Sequence, residues 1–206
     1  MTKRQPPVTA AELAARLEAD PEFVAKRRER ERALAERLAR YREEQAPIVS
    51  DLLAAGIQVR FLSDLYRSAP YPTAIPILLR HLALPYSDRT RETLARLLAV
   101  PDARHAWPIL VAEYGKAPMG HENGYRLEAK SGLATALAAT ATKDTMDELI
   151  AIAKDRSHGS SRLLLLRTLK KSRSLAAKQA IEELAFDPDL AKEIASWRRP
   201  RKTPAH

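Results

Sequence analysis

From position 47 to 198 the chain alternates short apolar stripes with Pro, Asp, Ser or Gly breaks. Within the stripes Leu, Ile and Ala recur at i, i+3, i+4 and i+7, the spacing of one face of a helix. The pattern predicts helices over 48–55, 59–67, 73–84, 88–99, 103–116, 123–140, 143–154, 160–171, 174–186 and 188–198, joined by connections of a few residues. No run alternates at period two for long enough to make a strand.

The N-terminal part has a different pattern. Residues 1–8, with Pro6 and Pro7 and no periodicity, read as a flexible tail. Thr9-Ala-Ala-Glu12 has capping-box spacing, so a helix is expected to start there. Asp20-Pro21 predicts a restart, Asp20 capping and Pro21 at the first helical position. This second helix is expected to end near Gln45, ahead of Pro47. Its middle, Lys26-Arg27-Arg28-Glu29-Arg30-Glu31-Arg32, is seven consecutive charges and cannot be buried on any face. Glu22/Lys26, Arg32/Glu36, Glu36/Arg40 and Arg40/Glu44 stand at i,i+4, each pair worth about 0.3–0.5 kcal/mol when exposed. With Phe23, Val24, Leu34, Leu38 and Tyr41 as its apolar positions, the helix reads as docked at both ends and wet between. Its interleaved glutamates argue against a nucleic-acid arm, and its apolar seam is too broken to specify a coiled coil.

The later helices pair into recurring units. Ala74-Ile75-Pro76-Ile77-Leu78-Leu79 matches Ala106-Trp107-Pro108-Ile109-Leu110-Val111 at an offset of 32 residues, proline included. Met146–Ile150 and Ala180–Leu184 occupy the same place in later units. Glu92–Leu98, Ser131–Leu137 and Arg162–Leu169 match as second helices. A period of about 30–40 residues built from two helices marks an α-solenoid. With its Pro then Ile-Leu first helix, its polar turn at Asp88 and its second helix opening on a basic residue, the chain resembles HEAT repeats over about residues 70–198. The resemblance implies an all-α, right-handed solenoid of antiparallel helix pairs, with second helices lining a concave side. The expected organisation is a tail (1–8), an N-terminal helical arm or cap (9–46), the repeat domain (47–198) and a basic tail (199–206).

Composition sharpens this picture. Aromatics are 5% of the 206 residues while hydrophobics are 45%, which favours helices over sandwiches and barrels. There is no cysteine, which excludes disulfides, thiol catalysis and Cys-ligated metals and fits a cytoplasmic location. Six scattered glycines offer no phosphate-cradling loop. No stretch approaches the ~18 apolar residues of a membrane span, and MTKRQPPVTAAE carries no secretory signal. The net charge of +9 is concentrated at one end: residues 156–206 hold 12 Lys/Arg against 5 Asp/Glu, and residues 46–155 are balanced. Such an excess either solubilises or attracts phosphates, anionic lipid or acidic protein.

Candidate binding residues follow from that charge. Arg162, Arg167, Lys170, Lys171 and Arg173 fall on or just after one second helix, and Arg89, Arg96, Arg126 and Lys130 continue the stripe in earlier units. Facing inward together, they make a positive groove for an acidic partner. His121-Glu122-Asn123-Gly124-Tyr125 lies in the longest connection and reads as a tolerated insertion or a binding loop. The five histidines show no metal-ligand spacing, and neither metal nor cofactor is expected. Trp197, ahead of Arg198-Arg199-Pro200-Arg201-Lys202, either stacks a base or anchors the last helix. No nucleophile–base pair or metal motif is legible, so the expectation is a non-catalytic scaffold for an acidic protein partner. The alternative is a nucleic-acid binder resembling HEAT-like alkylpurine DNA glycosylases. The residue one turn after Trp107 is Val111, and Glu113 lies off that phase, so no catalytic residue carries over. The sequence leaves the oligomeric state open.

Overall fold

The structure, a computed structural model, describes residues 8–119 and 128–197. Those residues are all-helical, without a strand, and none of their helices is long and apolar enough to cross a membrane. The chain divides into two units, Met1–Glu44 and Gln45–His206.

In the first unit, α1 (Ala10–Ala19) opens with the expected box. The Thr9 hydroxyl accepts from the Glu12 amide at 3.3 Å, and the Glu12 carboxylate accepts from the Thr9 amide at 3.0 Å. The second helix, α2 (Pro21–Ala54), is capped by Asp20, whose carboxylate accepts from the Glu22 and Phe23 amides. Not one described residue up to Glu44 is buried. Helical propensity, caps and i,i+4 pairs therefore carry this segment: Lys26–Glu22 at 2.6 Å, Arg27–Glu31 at 3.7 Å and Arg32–Glu36 at 4.0 Å. The charged middle is wet, as its composition requires.

One expectation fails here. The helix does not end before Pro47 but runs through it to Ala54. Proline removes one amide donor, leaving the carbonyl four residues earlier unpaired. That residue, Glu43, is exposed. Burial of Ile48 and Leu52, both fully enclosed, outweighs the lost bond.

In the second unit the helices are α3 (Ile75–Leu82), α4 (Asp88–Leu97), α5 (Trp107–Lys116), α6 (Ala129–Thr140), α7 (Met146–Lys154), α8 (Leu163–Lys171), α9 (Leu175–Leu184) and α10 (Ala191–Ser196). The 59–67 segment is instead a 3₁₀ helix, Leu62–Arg67, and 3₁₀ turns lead into α3, α5 and α8. Pro76 and Pro108 sit in the first turn of α3 and α5, where a missing amide costs nothing. Consecutive helices pack as pairs, α3 on α4, α5 on α6 and α7 on α8; α6 also lies between α4 and α8, and α7 beside α9. A single leucine-rich core runs from Ile48 to Ile194. Small residues set the α4–α6 approach: a Cβ built on Gly132 would stand 2.7 Å from the Glu92 carbonyl oxygen.

Candidate functional site

Helix α8 turns Leu165, Leu166 and Leu169 inward and buries them. The same phase leaves Arg167, Lys170 and Lys171 exposed, with Arg173 just beyond. Cations in the last turn also complement the helix's negative C-terminal end. Among the described residues no carboxylate comes within ion-pair distance of Arg167, Lys171 or Arg173. Lys170 lies over the Trp197 ring, 4.2 Å from its centroid. The Trp197 indole N–H donates to Glu193 at 3.0 Å, and its ring packs on the core, so it anchors the last helix. On α4, Arg89 is exposed, and Arg96 is half-buried against the buried carboxylate of Glu92.

Two residues expected in the same stripe lie inside the protein. Lys130 is buried and donates to the Ala117 and Tyr114 carbonyls at 2.9 and 3.3 Å, closing the C-terminal end of α5. Arg162 is completely enclosed. Its guanidinium grips Asp187 with two bonds at 3.0 and 3.1 Å and reaches Asp189 at 2.9 Å and the Gly159 and Ala153 carbonyls at 2.9 and 3.2 Å. All five of its donors are thereby used. Both long side chains stand at the head of a helix and turn inward onto carbonyls or carboxylates far along the chain. The part-exposed polar positions of α6 are the neutral Ser131 and Thr135, so among the described residues the cations outside the core lie on α4 and α8. Arg126, the loop residues His121, Glu122, Asn123 and Tyr125, and the tail 199–206 lie outside the described residues.

Sequence reasoning missed the polar centre beside Lys130. The Tyr114 hydroxyl lies 2.7 Å from Ser161 Oγ, which itself donates to the His158 carbonyl at 2.8 Å. Burial pushes the Tyr114 phenol up to about 12, so it stays protonated. The His158 ring packs on Tyr114 at 4.5 Å, its Nε2 is 3.5 Å from Asp155, and its buried Nδ1 has no hydrogen-bond partner among the described residues. Burial, then the charges of Lys130 and Arg162, hold His158 below its ordinary 6.5, against the pull of Asp155. Among the described residues the centre joins α5, α6 and the turn before α8. A second unforeseen link has His81 between Asp51, 2.7 Å from Nε2, and the Tyr86 hydroxyl, 2.9 Å from Nδ1. The signal for both was spatial, since partners such as Tyr114 and Ser161 are 47 residues apart.

A pH dependence follows. Above 6.5 His158 is neutral in folded and unfolded chains alike. As the pH falls through 6.5 the unfolded chain takes up a proton that the folded chain refuses, so stability is lost toward lower pH. Thermal midpoints measured from pH 7.5 to 5 should drop less steeply in His158→Gln than in the wild type. Parallel curves would show that His158 contributes nothing to the dependence.

No protein-family model, curated protein or solved structure matches the chain.

Proposed function

We propose that this chain is a non-catalytic adaptor, a HEAT-like α-solenoid that binds an acidic protein partner through its exposed cations. The succession of helix pairs, with α4, α6 and α8 side by side, supports the solenoid reading. One observation carries the binding reading: Arg167, Lys171 and Arg173 are exposed at the end of α8, with no carboxylate partner among the described residues. Elsewhere Arg91, Arg96 and Arg162 are neutralised by carboxylates of the protein itself. Arg167, Lys170 and Lys171 form the centre of the surface, and the exposed Arg89 on α4 provides a second contact. The cysteine-free composition is compatible with a cytoplasmic setting.

A nucleic-acid role has less support. The Trp197 face that would stack a base is occupied by Lys170. The two readings separate in one experiment. Tagged wild-type protein and the variant Arg167→Glu/Lys170→Glu/Lys171→Glu are compared for capture of acidic proteins from native extract and for binding a duplex DNA across salt. The adaptor predicts protein partners enriched on the wild type alone, with weak DNA binding. Identical captures from both proteins would remove the α8 site. Tight DNA binding with a steep salt slope, abolished in the triple variant, would replace the adaptor with the nucleic-acid role.

A further inference from the structure

The exposed stretch of α2 carries an order that its composition conceals. Counting back in alternating steps of four and three from the buried Leu52, Ile48 and Gln45 gives Tyr41, Leu38, Leu34, Glu31, Arg27 and Val24. This is a heptad seam. Its inner end is core, whereas Leu34 and Leu38 are 46% and 44% exposed. The interruption at Arg27 and Glu31 is closed within the seam, since the two pair with each other at 3.7 Å.

Between Val24 and Leu38 charge is sorted about this seam. Glu22, Glu29, Glu36 and Glu43 recur every seven residues on the side opposite it. Two of these acids are already satisfied on that far side, Glu22 by Lys26 and Glu36 by Arg32. Arg28, Arg30 and Arg37 occupy the positions flanking the seam, all exposed and with no carboxylate at ion-pair distance among the described residues. A second copy of this helix in parallel would set Arg37 against Arg42 and leave Arg28 and Arg30 facing Phe23 and Ala35, so it supplies no carboxylate to any of the three. We infer that the Leu34/Leu38 face of α2 docks an acidic amphipathic helix of another protein, whose apolar residues extend the seam and whose carboxylates meet Arg28, Arg30 and Arg37. This proposal uses no residue of the α8 cluster and does not depend on it.

The test uses the full chain and a synthetic peptide of about four heptads, Leu at a and d and Glu at e and g, with a Lys-flanked counterpart. Fluorescence anisotropy at 0.15 M salt should show binding of the Glu peptide and not of the Lys peptide. Leu34→Gln/Leu38→Gln, which keeps good helix formers on an exposed face, should weaken binding at least about tenfold at unchanged helicity. Arg28→Glu/Arg30→Glu/Arg37→Glu should reverse the preference toward the Lys peptide. The α8 triple variant should bind the Glu peptide as the wild type does. Absence of binding overturns the inference, as does binding lost in the α8 variant but kept in the leucine variant. It is also overturned by a self-dimer dissolved by the leucine variant in sedimentation. Leucine-dependent binding to vesicles containing phosphatidylserine, without peptide binding, would make the face a membrane contact instead.

Discussion

Arg162→Ala is expected to cost the Gln45–His206 unit about 3–5 kcal/mol, the penalty for leaving one partner of a buried pair alone. Asp187 is 4% exposed and, among the described residues, would be left with the exposed Arg156 and the Asp189 amide as partners. The contact that holds the Asp187 carboxyl below the usual range is, first, its bond to Arg162. Urea unfolding should show the loss as a lower midpoint at unchanged slope. The double variant Arg162→Met/Asp187→Leu should recover most of it, because an apolar pair of similar volume carries no desolvation penalty. A single variant within about 1 kcal/mol of wild type would mean that Arg162 is not held as described.

Gly132→Val is expected to cost about 3 kcal/mol, the upper part of the usual range for overpacking. The obstacle is backbone, the Glu92 carbonyl oxygen 2.7 Å from the new Cβ and the Glu92 Cα at 3.1 Å, so no rotamer relieves it. Helices α4 and α6 must separate, loosening Leu94, Leu133 and Leu137, all fully buried. Gly132→Ala meets the same Cβ clash but regains about 1 kcal/mol of helix propensity, so its net loss is smaller. Gly115 is the control: it lies in α5 with nothing within 4 Å of a built Cβ, and Gly115→Ala should be neutral or stabilising by up to about 1 kcal/mol. Equal melting temperatures for Gly132→Val and wild type would contradict the close α4–α6 approach.

Prolines, caps and charge runs told the truth about elements and less about their surroundings. Thr9-Ala-Ala-Glu12 and Asp20-Pro21 mark helix starts in both sequence and structure. Pro47 misled because a local rule was overruled by the burial of Ile48 and Leu52. The candidate surface was half legible. The exposure of Arg167, Lys170 and Lys171 follows from the phase of the leucines around them. Lys130 and Arg162 resemble these cations in sequence, yet their fate depends on Ala117, Asp187 and Asp189.

Sequence alone determined that the chain is helical, where its first two helices begin, and that the Lys26–Arg32 run stays wet, because caps, i,i+4 pairs and solvation act within a turn or two of the chain. Tertiary structure alone decided which cations are surface and which are core, and how closely α4 and α6 approach. Those outcomes depend on groups brought together from tens of residues away, and a long basic side chain goes wherever its donors are best satisfied.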